Sequence, residues 1–172
     1  MTHGKQIIGA DFLSCFKMNS MKKMLLIACL MAFQAGFLAA QDTFSIVAVD
    51  SVTGEVGSAG ASCVDLFSFP GYTNHFLGDL IPGVGAINTQ AYYLAGNQTN
   101  ARTRMNAGDT PQQVIDWLVA NDIQGNPNIR QYGVVGFVNG SPQAAAHTGV
   151  NTDDYKGHVV GPNYSIQGNI LL

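Results

Sequence analysis

The alternation of apolar and polar positions sorts the chain into elements before composition adds anything. Residues 44–49, Phe-Ser-Ile-Val-Ala-Val, alternate imperfectly and are rich in β-formers, which predicts a strand. Asp50 to Glu55 is turn material around Thr53-Gly54, and residues 56–62 read as the strand that returns from it. That second strand is built almost wholly of small side chains, which lets another backbone or a ligand come close. Residues 63–82 spread Phe67, Phe69, Tyr72 and Phe76 among Gly, Pro, Asn and Asp, the pattern of a long ordered loop, with room for a short helix. A third strand is expected over residues 84–91, ending in Asn88-Thr89-Gln90.

Residues 97–106 read as a helix carrying Arg102 and Arg104. The helix after it has the strongest signals. Thr110 is placed to cap it, Pro111 suits its first turn, and Gln113 completes a capping box. Val114, Ile115, Trp117 and Leu118 give it one apolar face. Residues 132–138 form a buried-looking strand, Asn139-Gly140 is a hairpin turn, and residues 143–147 return. Val159-Val160 and residues 164–167 suggest one more strand pair. Two hairpins separated by a helical middle predict an α+β fold with antiparallel sheet.

Ahead of these elements the pattern changes character. Met21-Lys22-Lys23 opens a basic segment, an apolar run covers residues 24–40, and Leu38-Ala39-Ala40 leads to the polar Gln41-Asp42. A basic start, an apolar stretch and a small-residue exit make a secretory signal peptide over residues 21–40. An uncleaved anchor is the alternative, because the run is close to the length that spans a bilayer. Residues 1–20 lack this logic and read as an extension ahead of the better start at Met21. The folding part is then one domain over residues 41–172, expected in the periplasm or secreted.

Charge removes one class of function. Residues 41–172 hold ten acids against four bases, which leaves a formal charge of −6. No basic footprint for a nucleic acid exists there. Only Cys63 of the three cysteines lies beyond the apolar segment, so neither an internal disulfide nor a cysteine-based zinc site is expected. His75, His147 and His158 lack metal-ligand spacing, and no metal or other cofactor is expected.

Several segments, in order, resemble the DUF1028 family, a domain of unknown function with an Ntn-hydrolase-like fold. They are Thr43 to Asp50, Thr53-Gly54-Glu55-Val56-Gly57, Gly83-Val84-Gly85-Ala86 with Thr89-Gln90-Ala91, and Gly108-Asp109-Thr110. Arg130-Gln131-Tyr132-Gly133-Val134-Val135, Ala145-Ala146-His147-Thr148-Gly149, Gly157-His158 and Gln167-Gly168-Asn169 follow. The resemblance implies an Ntn-hydrolase-like αββα sandwich of two antiparallel sheets. It further implies that this chain stops short of the family's C-terminal helices and strands.

The same resemblance implies a catalytic candidate. In Ntn hydrolases the N-terminal Thr, Ser or Cys attacks an amide carbonyl while its own free α-amine takes the proton. Thr43 matches the family's first residue. A cut after Ala40 would leave Gln41 and Asp42 ahead of it, so the mechanism requires a cut after Asp42 or trimming. The plainer reading of Thr43 is the start of a strand. Ser62 and Cys63 end the second strand, and Cys63 stands where many members of the family carry a basic residue. Cys63 reads as a buried small residue or as a thiol nucleophile with His147 as base. Gln90, with Thr89, ends another strand, and Gln167 and Asn169 end a third. Such amides build an oxyanion hole or simply tie sheet ends together. His147 reads as an acid or base, or as a structural histidine.

Thr43, Ser62, Cys63 and Gln90 are expected to gather at one end of the first sheet, because antiparallel pairing puts the start of one strand beside the end of the next. His147 joins them only if the second hairpin stacks nearby. Two functions follow. One is an exported amidohydrolase acting on peptide-like or small amides. The other is a non-catalytic envelope module that binds cell-wall peptide or a similar ligand. A homo-oligomer is compatible with either, and a membrane partner is not expected once the leader is removed.

Overall fold

The computed structural model describes residues 42–73 and 75–171. The expected leader at 21–40 and extension at 1–20 lie outside the described residues. Strands β1 (Thr43–Val49) and β2 (Val56–Ala61) form the first hairpin, antiparallel, with Phe44 opposite Ala61 and Val49 opposite Val56. Gly54, at φ 75°, takes the left-handed position that closes the turn. Strands β3 (Gly78–Ile81) and β4 (Gly85–Gln90) follow, then helices α1 (Ala95–Asn106) and α2 (Pro111–Ala120). Strands β5 (Gln131–Val138) and β6 (Ser141–Thr148) make the hairpin at Asn139-Gly140, both residues left-handed at φ 52° and 77°. Strands β7 (Gly157–Val160) and β8 (Tyr164–Asn169) close the fold as a third such pair.

Among the described residues, eight strands form two antiparallel four-stranded sheets. Sheet I has the order β2-β1-β8-β7, and sheet II the order β3-β4-β5-β6. Among the described residues the architecture is therefore mixed α+β with two antiparallel sheets and two α-helices. One element departs from expectation. The segment 63–82 is not all loop, since β3 forms near its end and pairs with β4, Gly78 opposite Asn88. Gly-Asp-Leu-Ile has weak strand preference. The strand exists because β4 offers it a partner and because Gly78 fits under β2. A Cβ there would stand 2.4 Å from Ser58 Oγ.

Period-two alternation gives each strand of sheet II two different faces. One face packs on the helices: Ile87, Tyr132, Val134 and Ala145 meet Ala101, Met105, Val114, Ile115 and Leu118 in a closed apolar layer. Each fully buried Leu, Ile or Val in such a layer contributes about 1.5–3 kcal/mol. Helix α2 begins with the capping box, Thr110 Oγ1 accepting from Gln113 N and Gln113 Oε1 accepting from Thr110 N. Trp117 is only partly buried at the edge of this layer, with the Arg104 guanidinium over its ring at 5.7 Å. Arg102 pairs with Asp79 and Arg104 with Asp109.

The other face of sheet II meets sheet I, and the layer between them changes character along its length. At one end it is apolar: Val47 and Val49 pack with Ala86 and Val135. At the other end it is made of buried amides and hydroxyls: Ser45, Gln90, Gln131, Gln167 and Asn169. The candidate site lies at that polar end. Sheet I's opposite face carries Phe44, Ile166 and Val159, 51%, 40% and 59% exposed.

Candidate functional site

Thr43 is the first residue of β1, and its side chain points inward, 6% exposed. Ser62 follows directly after β2, where antiparallel pairing returns the chain to the start of β1. The two hydroxyls meet, with Thr43 Oγ1 3.0 Å from Ser62 Oγ. Ser62 Oγ also accepts from the backbone N–H of Val64, which bends the chain away from the sheet. Thr43, Ser62, Cys63 and Gln90 all line one pocket of about 480 Å³. The gathering expected from the strand pairing is thus present in the structure. Cys63 is exposed rather than buried.

Gln90 forms part of the pocket floor, and its amide is tied into the layer below. Ser45 Oγ donates to Gln90 Oε1 at 2.6 Å, and Gln90 Nε2 donates to Gln131 Oε1 at 2.7 Å. Asn169 Nδ2 donates to the same Gln131 oxygen at 2.9 Å, while Gln131 Nε2 donates to the carbonyl of Gly168. Gln167 Nε2 donates to Ser45 Oγ, and Gln167 Oε1 accepts from Ser165. Three of these bonds cross between the sheets and lock their spacing. Buried polar chains of this kind are rigid when their members are satisfied. Gly133 makes the room, because a Cβ there would lie 2.0 Å from Gln167 Oε1.

One wall of the pocket is aromatic. Tyr72 stacks between Phe69 and Phe76 with ring centroids 5.3 and 4.9 Å away, and Tyr93 meets Tyr72 edge-on at 4.9 Å. Burial, helped by the neighbouring Tyr72 and Asp79, raises the Tyr93 hydroxyl above the ordinary tyrosine value. Phe69, Tyr72 and Phe76, from the segment 63–82 that the sequence reads as a long ordered loop, supply most of this wall.

Behind the wall stands a buried ion pair. Arg130 Nε donates to Asp122 Oδ2 at 2.9 Å, with both side chains almost wholly enclosed. Asp122 also accepts from Asn97 Nδ2 and from the backbone N–H groups of Gln124 and Asn126. Burial alone would raise its pKa. The hydrogen bond from Arg130, with those other donors and the guanidinium charge, outweighs burial and holds it well below the usual carboxylate range. Arg130 also donates through Nη1 to the carbonyl of Tyr92.

That contact fixes a strained segment. Ala91 and Tyr92 are left-handed at φ 53° and 49°, and Ile170 at φ 56° faces the same pocket. Non-glycine residues hold this conformation only where their surroundings over-determine it, and such residues cluster at functional sites. Nothing in the local sequence marks Ala91, Tyr92 or Ile170, since none is an Asn, Asp or Gly. The pairing of Asp122 with Arg130 likewise has no sequence signature.

His147 does not join this site. On β6 it lies opposite Tyr132, so it faces the helices, while its neighbour Thr148 faces the inter-sheet layer and receives a hydrogen bond from Gln131. The His147 ring stacks on Tyr132 at 6.0 Å, and its Nε2 donates to the carbonyl of Pro127 at 3.0 Å. A base for Cys63 is therefore not supplied by His147. Thr148 Oγ1 stands 2.8 Å from His158 Nδ1. Burial, and then the charge of His147, lowers the pKa of His158.

Among the described residues no group of three or more His, Cys, Asp or Glu is arranged to hold a metal. No helix in that portion is long and apolar enough to cross a membrane.

Comparison with known proteins places this arrangement. No curated protein matches the chain. Among solved structures it is similar to the crystal structure of protein SPO2555 from Silicibacter pomeroyi, of family model DUF1028, with a TM-score of 0.62 at 23% sequence identity. That match covers 76% of this chain and 55% of the other, so the chain spans about half the length of that protein and shares its fold. The model of the family of unknown function DUF1028 matches residues 43–172, from the first strand residue beside the pocket to the last residue of the sequence. The chain belongs to the DUF1028 family.

Proposed function

We propose that this protein is an exported amidohydrolase of the N-terminal-nucleophile type, with an Ntn-hydrolase-like sandwich and Thr43 as nucleophile. The observation that carries the reading is the position of Thr43. It is the first residue of β1, at the floor of a pocket, with its hydroxyl 3.0 Å from a second hydroxyl on Ser62. Cleavage after Asp42 would turn the Thr43 nitrogen into a free amine beside its own Oγ1. Such an amine has a pKa of about 7.7–8.0, so it accepts a proton near neutral pH. Thr43 Oγ1 would attack the carbonyl carbon of a peptide-like or small amide, and its proton would pass to the amine. Collapse would expel the substrate's amine, protonated by that group, and leave an ester on Thr43 that water hydrolyses. Ser62 would hold the Thr43 hydroxyl in line. Cys63 stands at the pocket mouth, and Gln90 stiffens the floor.

A second reading keeps the pocket and drops the chemistry: a non-catalytic envelope module that binds cell-wall peptide or a similar ligand. Two observations favour it. Asp42 still precedes Thr43, and an acylated nitrogen is no base. Arg130, the one cation among the described residues lining the pocket, is already engaged by Asp122.

Intact-mass measurement on protein recovered from an exporting host separates the two. A mature chain beginning at Thr43, with amide hydrolysis lost in Thr43→Ala and retained in Thr43→Ser, is the expected result. A mature chain beginning at Gln41 that still binds ligand would select the second reading.

A further inference from the structure

Among the described residues, strand β2 is an edge. In sheet I it pairs with β1 on one side, and no described strand pairs with its other side. Gly57, Ser58, Ala59, Gly60 and Ala61 are all exposed. The direction of their backbone groups follows from the ladder. The amide of Val49 donates to the carbonyl of Asn163, on the β8 side of β1. Alternation then turns Ser45, Val47 and Val49 toward β8, and Phe44, Ile46 and Ala48 toward β2. Their partners on β2 are Ala61, Ala59 and Gly57. Ser58 and Gly60, lying between those partners, turn their N–H and C=O groups to the open edge.

This edge runs along a groove and ends at the site. The groove, about 560 Å³, lies between β2 and β3 and is walled by Ser58, Ala59 and Gly60 on one side and Leu77, Gly78 and Leu80 on the other. Leu77 also lines the pocket that holds Thr43, and Ser62 and Cys63 continue directly from β2 into that pocket. Behind the groove wall sits an unused donor. Asn88 is fully buried; its Oδ1 accepts from Ser58 Oγ at 2.6 Å, and its Nδ2 has no hydrogen-bond partner. A native protein normally blunts an open edge with charge, proline or a bulge. β2 has no charged residue and no proline.

We propose that β2 is the docking edge for an extended peptide. The peptide adds as a strand against Ser58 and Gly60, sets alternate side chains into the groove against Leu77 and Leu80, and leads its next amide past Ser62 toward Thr43. Main-chain pairing supplies the affinity in recognition of this kind, and the alternate pockets supply the selectivity. A second copy of this chain is the less suited occupant, because β2 paired to β2 would place another fold across the pocket mouth. The delivery of the amide rests on the hydrolase reading of Thr43; the docking itself does not.

The test uses the Thr43→Ala protein, which cannot turn the probe over. The probe is the capped peptide acetyl-Ala-Thr-Ala-Thr-Ala-Thr-amide, together with two versions N-methylated at alternate residues. With the parent peptide, the amides of Ser58 and Gly60 become about tenfold slower in hydrogen exchange, while Ala59, already bonded to β1, does not change. One methylation pattern weakens binding by about tenfold and the other leaves it unchanged, because only one set of amides faces the edge. Absence of protection at saturating peptide overturns the proposal. So does protection that arises without peptide and grows with protein concentration, which would assign the edge to a second copy. Protection without cleavage by protein that begins at Thr43 retires the hydrolase reading and leaves the docking edge standing. Cleavage without protection does the reverse.

Discussion

Asp122 is 8% exposed, and its partner Arg130 is 2% exposed. A carboxylate held this far below its ordinary value adds stability above the unfolded pKa of about 3.9, and loses it as pH falls through the folded value. Urea midpoints should therefore drop below about pH 4, and Asp122→Asn should flatten that drop. An unchanged acid slope in the variant would assign the loss to other carboxylates. Removing one partner alone leaves the other charge buried, so Arg130→Ala is expected to cost about 3–5 kcal/mol. Gly133 is a second single-residue control point. Gly133→Ala drives a methyl into Gln167 Oε1, and the displaced amide also bonds Ser45 and Ser165. Overpacking of this kind costs about 1–3 kcal/mol, and thermal melts of the variant give the value. Arg130 and Gly133 fall in a segment that carries the family resemblance, yet the sequence does not show the partner each acts through, because only folding brings it near.

At the scale of elements, local chemistry was the better guide. Thr53-Gly54 and Asn139-Gly140 close the two hairpins expected of them, because left-handed backbone at those positions is a short-range demand. The capping box of α2 was equally readable, since both its hydrogen bonds join residues three apart. Thr110→Ala should cost about 1 kcal/mol in chemical denaturation, and Thr110→Ser much less. A Thr110→Ala variant as stable as the parent would mean that tertiary packing alone holds the first turn. Strand β3 was missed for the complementary reason. Gly78-Asp79-Leu80-Ile81 lacks β-branched residues except at its end, and its pairing with β4, its fit against Ser58 and the Arg102 ion pair at Asp79 are all non-local.

At the scale of the whole molecule, the two sheets are unequally covered among the described residues. The helices shield sheet II, whereas Phe44, Val159 and Ile166 stand on the outward face of sheet I. Contiguous exposed apolar surface marks an interaction site or an association hazard. Residues 42–172 alone should associate at high concentration, and Val159→Lys with Ile166→Lys should reverse this in sedimentation while shifting stability by about 0.5 kcal/mol or less. Unchanged association in the double variant would place the contact elsewhere. The elements other than β3, both turns, the helix cap and the meeting of Thr43 with Ser62 could be read from the chain alone, because each follows from short-range chemistry or from one hairpin's register. Tertiary structure decided the rest. It inserted β8 beside β1, stacked the two sheets on a layer of glutamines, and turned His147 to the helix side. It also bent Ala91 and Tyr92 into a strained wall held by Arg130. Those choices depend on contacts between residues tens of positions apart, and a pattern along one strand carries no record of what will lie against it.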